Sequence, residues 1–349
     1  MIKEAISKVI LQENLSQEEA YNVMGEIMDG KGSDAQIASY ITALRMKGET
    51  PDEIVGGAKA MRERSVKIRA ESDVVLDTCG TGGDNLHLFN ISTISAFVVA
   101  GCDVVVAKHG NRSVSSMCGS ADLLLGLGVN IALPKEGIER CLKEIGIGFL
   151  FAPGLHPAMK YAISPRREIG IRTIFNILGP ITNPAGARYQ MLGVYDEALC
   201  ETLAYVLKEL GSVSTIVLHG RDGSDEASIS APTKITELYQ GKIRSYTITP
   251  EEFGIKRVSI SEIKGGDAKK NVGIALNILK GKDGPKRDVI LLNSAIALFV
   301  VRKVSSIGEG IEMARKSISS GLALKKLEAL KKISQEYPSS HFPLPYNRD

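Results

Sequence analysis

The sequence predicts an α/β protein: a large domain with a central, mostly parallel sheet flanked by helices, plus a small all-helical domain. Three observations predict it. The first 70 or so of the 349 residues carry helical periodicity with clear helix punctuation. From residue 73 onward, short β-branched runs alternate with helical patterns. Polar loops rich in glycine, cations and acids follow four of those runs. A chain of this length accommodates two domains.

Each helix of the first part has its own start signal. Ser16 with Glu19 and Ser33 with Gln36 form capping boxes, and Thr50-Pro51-Asp52-Glu53 forms a third with Pro at the first helical position. An amphipathic stretch follows each cap, for example Ile37, Tyr40, Ile41 and Leu44. Four short helices result, separated by breaks such as Gly30-Lys31-Gly32 and Lys47-Gly48-Glu49. The β-branched runs then fall at 74–76, 104–106, 149–151, 191–194 and 215–218. Their alternation with helical patterns predicts parallel strands connected by helices. Residues 156–183 interrupt the alternation; they are rich in Pro, Gly and Arg, with a helical piece that Arg166 and Arg167 begin. This segment is expected to cross back to the helical part. The expected boundaries are 1–72 with the crossing segment, about 156–185, for the small domain, and 73–155 with 186–349 for the large one. Beyond Glu336 three prolines and few apolar anchors predict a loosely held tail.

Composition narrows the function. A net charge of +3 is too small to imply a nucleic-acid partner, and the absence of Trp with only 5% aromatics argues against a stacking surface for single strands. The longest apolar run, 289–301, is interrupted by Asn293 and Ser294 and is too short to span a bilayer, so a buried helix or a strand–helix junction is expected rather than a membrane segment. The start, Met1-Ile2-Lys3-Glu4, lacks the apolar core of a signal peptide. Five scattered cysteines with no C-x-x-C pair suit a reduced, cytoplasmic protein without a zinc site.

In open parallel sheets ligands bind outside the carboxyl ends of the strands, so the loops there carry the chemistry. The first is Gly80-Thr81-Gly82-Gly83-Asp84, whose backbone amides suit a phosphate, with a plain tight turn as the alternative. Asn90-Ile91-Ser92-Thr93 opens an apolar helix with hydroxyls and orphan amides available to an anion or a metal, or simply caps it. Lys108-His109-Gly110-Asn111-Arg112-Ser113-Val114-Ser115-Ser116 combines cations, close approach and hydroxyl donors in a second anion cradle. Asp225-Glu226 supplies adjacent hard carboxylates that suit Mg²⁺ together with phosphate oxygens; solvated acids are the alternative. Arg166 has the planar fork that pairs a carboxylate, unless it is a surface charge.

These motifs, with Phe89-Asn90-Ile91-Ser92-Thr93, Gly119-Ser120-Ala121-Asp122, His156-Pro157-Ala158-Met159-Lys160 and Thr173-Ile174-Phe175-Asn176-Ile177-Leu178-Gly179-Pro180, resemble the anthranilate phosphoribosyltransferase family, in order and over nearly the whole chain. The resemblance implies a homodimer with a helical domain and a large α/β domain that binds phosphoribosyl pyrophosphate. The implied reaction joins anthranilate to that donor with Mg²⁺, in tryptophan biosynthesis. By resemblance the donor positions are Gly80, Gly83, Asp84, Leu88, Asn90, Ile91, Ser92, Thr93, Lys108, His109, Gly110, Asn111, Arg112, Ser113, Val114, Ser115, Ser116 and Ser120. Gly80, Asn111, His156, Arg166 and Gly179 match anthranilate contacts, and Ser92, Asp225 and Glu226 match metal positions. The chain departs from the family pattern at Asn85 and Leu88, where Gly and Thr are usual, and at Met117 and Cys118, where Lys and Ser are common. A hydroxyl missing at Leu88 implies a lost hydrogen bond to the diphosphate, worth about 1.5–3 kcal/mol. No side-chain nucleophile and no general base are expected, because an arylamine is already unprotonated at neutral pH. Two rivals share parts of this pattern. A pyrimidine nucleoside phosphorylase would bind phosphate without needing the acidic pair, and a non-catalytic nucleic-acid-binding relative would show a marked basic excess.

Overall fold

The structure is a computed structural model and describes residues 1–83, 86–112 and 117–338. It opens with four helices, α1 (Ile2–Ile10), α2 (Gln17–Met28), α3 (Asp34–Lys47) and α4 (Pro51–Glu63). All three expected capping boxes form, at Ser16/Glu19, Ser33/Gln36 and Thr50/Glu53. Gly56 lets α4 cross α2 closely: a Cβ there would lie 2.3 Å from the carbonyl oxygen of Gln17. The Thr50 box does more than cap. The Glu53 carboxylate, fully buried, also accepts the Leu15 N–H and pairs with the Lys47 ammonium at 3.0 Å.

Alternation then begins with β1 (Val75–Gly80), α5 (Ile91–Ala100), β2 (Val105–Gly110), α6 (Ser120–Gly126), α7 (Lys135–Ile145) and β3 (Ile147–Phe151). The segment that returns towards the first helices holds α8 (Ala152–Leu155), α9 (Lys160–Ile169) and α10 (Ile174–Leu178). β4 (Tyr189–Gly193), α11 (Leu199–Glu209) and β5 (Ser214–Gly220) follow, then β6 (Thr233–Tyr239) and β7 (Lys242–Ile248). Four helices close the described chain: α12 (Ala268–Leu279), α13 (Pro285–Val300), α14 (Ile307–Ser319) and α15 (Leu322–Gln335).

The sheet has seven strands in the order β3-β2-β1-β4-β5-β6-β7. The first five are parallel, and β6 and β7 are antiparallel additions. The chain moves outward from β1 to β3, then returns to β4 on the other side of β1, so the sheet reverses direction between β1 and β4. A ligand crevice belongs there in open α/β sheets. Alternating residues face opposite layers. Met191, Ile216 and Leu218 join the core built on α5 and α13. Cys79, Leu192 and Val217 join the core that contains α11 and the first four helices.

Three readings of the sequence are corrected. The β6–β7 hairpin is absent from the expected strands, although Gln240 and Gly241, both at positive φ, make the two-residue turn that such a hairpin favours. Strands run further than their β-branched residues: Asp77 to Gly80 and Lys108 to Gly110 complete β1 and β2, because neighbouring strands supply ladder bonds whatever the side chain. Arg166 and Arg167 lie in the last turn of α9, not at its start. Pro165 is inside that helix, where it forgoes only the bond to the Tyr161 carbonyl. The run 289–301 forms α13 and its cap, and among the described residues no helix is long and apolar enough to cross a membrane. Tail residues 339–349 lie outside the described residues.

Breaking a buried ion pair from one side strands the other charge, at about 3–5 kcal/mol. Glu53→Gln is therefore expected to lower the unfolding free energy by about that amount in urea titration. Glu71→Gln, which removes a partner of the exposed Lys143, is expected to change it by under about 1 kcal/mol.

Candidate active site

The site assembles where β1, β4 and β5 end in glycine. Gly80 and Gly193 pair across the β1–β4 ladder. A Cβ on Gly193 would lie 1.6 Å from the Asp225 carbonyl oxygen, and one on Gly80 would lie 2.3 Å from the Asp225 carboxylate. At the end of β5, a Cβ on Gly220 would lie 2.3 Å from Ser224 Oγ. These bare strand ends form a floor on which the acidic loop after β5 rests.

Polar groups converge above that floor. Asp225 Oδ2 accepts the Gly82 N–H at 2.7 Å, so the glycine loop and the acidic pair are bonded directly. Glu226 Oε1 accepts the Ser92 N–H at 3.1 Å, in the first turn of α5. The same serine takes two more bonds. Its hydroxyl accepts from the Lys108 ammonium at 3.2 Å, and its carbonyl accepts from Thr78 Oγ1 at 3.2 Å. Lys108 is 4% exposed and donates its other bond to the Thr78 carbonyl at 2.5 Å. Burial pushes its pKa below the ordinary lysine range, while Asp77, Cys79, Glu226 and Asp225 pull it back.

This donor set fits a hard divalent cation. Two carboxylates and the Ser92 hydroxyl could supply oxygen ligands, the kind that Mg²⁺ takes alongside water and phosphate oxygens. Among the described residues no group of three or more His, Cys, Asp or Glu side chains is arranged to hold a metal.

A second cluster lies on the opposite face of β2. His109 donates its backbone N–H to Asp77 Oδ1 at 3.1 Å, and its ring stands 5.2 Å from that of His156. Both histidines are 6% exposed, and neither Nε2 has a hydrogen-bond partner among the described residues. Burial holds the His109 pKa well below the ordinary histidine value, with the neighbouring His156 adding to the effect and a bond to the Gly179 backbone opposing it. Burial likewise lowers His156 to about 4, with Lys67 adding to the effect. At neutral pH both imidazoles are uncharged. Gly179 caps α10, and the Arg166 guanidinium lies 5.1 Å from the centre of the Phe175 ring of the same helix. Arg166 is half-buried and Arg167 is exposed. His109, His156, Gly179 and Arg166 are thus grouped around α10.

A third cluster holds the start of the second cradle. Ser120 Oγ and the Ala121 N–H donate to the Asn111 carbonyl at 3.1 and 3.2 Å, and the Arg112 guanidinium sits 3.8 Å from Asp122. Gly110 leaves room for Ser120: a Cβ there would lie 2.3 Å from its hydroxyl. Asn90 serves the loops around it, donating to the Cys118 carbonyl and accepting from Asn271 at 2.9 and 3.0 Å.

Some expected site residues turn elsewhere. The side chains of Ile91 and Thr93 are buried in the core, leaving only their backbone to a ligand. Leu88 packs partly buried against the sheet core and bridges by its backbone to Lys264. Asp84, Asn85, Ser113, Val114, Ser115 and Ser116 lie outside the described residues. One residue is missed altogether by sequence reasoning. The guanidinium of Arg172 stacks 4.3 Å from the centre of the Tyr195 ring and presses on Gly83, where a Cβ would lie 2.8 Å from it. A lone arginine after a glycine turn carries no local signal.

Comparison with known proteins gives this arrangement a class. The model of the glycosyl transferase family a/b domain matches residues 72–324, and that of the family's helical bundle domain matches residues 3–65. The anthranilate phosphoribosyltransferase of Geotalea uraniireducens (strain Rf4) is 52% identical over 350 residues, covering 96% of this chain and 100% of the relative. That of Moorella thermoacetica is 53% identical over 330 residues, covering 95% and 97%. Among solved structures, the anthranilate phosphoribosyltransferase of Thermus thermophilus superposes with a TM-score of 0.90 at 41% identity, over 95% of this chain and 99% of that one. The Saccharomyces cerevisiae enzyme, solved in complex with PRPP and Mg, gives 0.89 at 27% identity, over 96% and 98%. The chain belongs to the anthranilate phosphoribosyltransferase family.

The histidine pair makes a pH prediction. An ordinary histidine pKa of 6.5 in the unfolded chain against about 4 for folded His156 means the unfolded state binds the extra proton between those values. Stability is therefore full above about pH 6.5 and falls as pH drops towards 4. His156→Gln is expected to flatten the slope of unfolding free energy against pH in that window; an unchanged slope would mean His156 titrates normally.

Proposed function

We propose that this chain transfers the phosphoribosyl group of phosphoribosyl pyrophosphate to the amine of anthranilate. The products are N-(5-phosphoribosyl)anthranilate and pyrophosphate, and the step belongs to tryptophan biosynthesis. The observation that carries the reading is the convergence on Ser92, where the acidic pair, a buried ammonium and a helix N-terminus meet beside a glycine loop. Ser92, Asp225 and Glu226 would hold Mg²⁺, which supplies charge neutralisation to a pyrophosphate leaving group. A phosphorolytic enzyme has no need of this acidic pair.

The protein's own part is positioning and electrostatics. Lys108 contributes a fixed positive charge at the floor of the donor site. Gly83 and Arg172 offer a close-approach backbone and a cation on the glycine loop, and Asn111, Arg112 and Ser120 border the second cradle. As negative charge grows on the departing diphosphate, these groups meet it without rearranging. On the other face of β2 the neutral His109 and His156 present ring nitrogens but no charge. A substrate carboxylate there is met by Arg166, and the arylamine attacks the ribose carbon without a base. Residues 1–72 with about 156–185 then form the acceptor-side domain, and 73–155 with 186–349 form the donor-binding domain. A homodimer is supported by Ile10, Leu11 and Met46, exposed apolar side chains on the packed pair α1 and α3. The cytoplasm suits five buried thiols.

The direct test follows anthranilate fluorescence on mixing protein, Mg²⁺ and phosphoribosyl pyrophosphate. Loss of signal with one product per donor is expected, and phosphorolysis of thymidine or uridine in its place would overturn the reading. Asp225→Asn with Glu226→Gln is expected to abolish turnover at limiting Mg²⁺ while the melting transition persists; near-normal turnover would remove the pair from the metal site.

Arg166→Ala is expected to reduce kcat/KM for anthranilate about thirty- to a hundredfold, or roughly 2–3 kcal/mol, because a carboxylate would lose its paired hydrogen bonds. The exposed Arg167→Ala serves as control. Equal damage to both, at saturating donor, would place the carboxylate elsewhere.

A further inference from the structure

Helix α13 is buried along nearly its whole length, yet it carries an amide in its middle. Asn293 is fully buried, and leaving such a group unbonded is costly. Its bonds are specific. Oδ1 accepts the Ala227 N–H at 2.9 Å, and Nδ2 donates to the Ala227 carbonyl at 2.9 Å and to the Val289 carbonyl at 2.9 Å. The reciprocal pair with Ala227 imitates what one strand residue gives another. Its neighbour Ser294 is equally buried, and its hydroxyl has no partner among the described residues, so burial in this helix does not by itself create such bonds.

Ala227 directly follows Glu226. On the other side of the acidic pair, Asp222 gathers the loop around its carboxylate. Oδ1 accepts the Ser224 hydroxyl at 2.7 Å and the Ser224 N–H at 3.2 Å; Oδ2 accepts the Ser228 hydroxyl at 2.5 Å and that of Ser230. Ser224 Oγ also reaches the Glu226 carbonyl at 3.2 Å. Asp225 and Glu226 thus sit on a short span held at both ends, above glycines that leave no room for it to drop.

We infer that Asn293 is a positioning residue for the metal-binding acids: it fixes Ala227 from the core so that Asp225 and Glu226 face Ser92 and the glycine loop. The inference rests on the reading of that pair as the Mg²⁺ site. Residues that orient metal ligands from behind characteristically change affinity ten- to a hundredfold when replaced. Anthranilate, approached from the other face of β2, should not sense the change.

The test uses the full chain with phosphoribosyl pyrophosphate present and Mn²⁺ as the probe, its binding followed by electron paramagnetic resonance. Asn293→Leu keeps the branched shape, with a larger side chain, and removes both Ala227 bonds. Asn293→Asp keeps one acceptor and sets a carboxylate oxygen against the Ala227 carbonyl. Both are expected to raise the Mn²⁺ dissociation constant about ten- to a hundredfold and the Mg²⁺ requirement of turnover in parallel. The KM for anthranilate should stay within about twofold, and Ser294→Ala should match the wild type. Folded variants with lower melting temperatures but wild-type Mn²⁺ binding would overturn the inference and leave Asn293 a core residue only. If Asn293→Leu does not fold, Asn293→Asp decides alone. A wild-type protein that binds no Mn²⁺ would instead overturn the metal reading itself, and the inference with it.

Discussion

The site is organised around one buried ammonium. Lys108 is almost fully enclosed, and a charge in such a place survives only with partners within reach. Those partners come from separate parts of the chain: a carbonyl from the end of β1, a hydroxyl from the first turn of α5, and the fields of Asp77, Asp225 and Glu226. Each depends on the others. Ser92 accepts from Lys108 while its amide is taken by Glu226 and its carbonyl by Thr78. The sheet order places these partners together, because β2 and β4 flank β1 and β5 lies beyond β4.

Absence of side chains matters as much as their presence. The acidic loop after β5 lies over the paired glycines of β1 and β4, where a methyl group would overlap its backbone at Gly193 and the Asp225 carboxylate at Gly80. A glycine at a strand end is usually explained by its conformational range. Here Gly80 and Gly193 are strand residues, and what they provide is space. The reversal of the sheet between β1 and β4 opens the crevice, and these glycines let the acid pair enter it from the side.

What is legible in the sequence is what is local. Ser16, Ser33 and Thr50 announce their helices because a cap and its partner lie three residues apart. Gly80, Lys108, Asp225 and Glu226 are readable as site residues because each lies near or just beyond the carboxyl end of a strand, and those ends share an edge. The Gln240-Gly241 hairpin is equally local but gives a weaker signal, since its strands alternate polar and apolar residues without a long β-branched run. Arg172 is not legible, because its approach to Gly83 depends on how α9 and α10 fold back. Ile91 and Thr93 look available in a first turn, but α5 is buried on nearly every side and both side chains point into the core. Asn293 stands out only as a polar interruption; that it grips Ala227, 66 residues away, is a property of the packing.

Two chemically different layers meet at a single strand. Successive residues of a strand face opposite ways, so Lys108 and His109 at the end of β2 serve different layers. Lys108 turns towards α5 and the acid pair, where charge is retained by counter-charge. His109 turns towards His156 and α10, where burial strips the charge away. One layer suits a diphosphate and its cation. The other, with uncharged imidazoles and the cations Arg166 and Lys67 nearby, suits an aromatic ring bearing a single carboxylate. Asp77 links the layers, holding the His109 backbone amide while contributing its field to Lys108. The two residues are fixed by one carboxylate and one ladder, so neither layer can shift along the strand without the other. The two layers therefore keep their relative position through the strand that carries both residues.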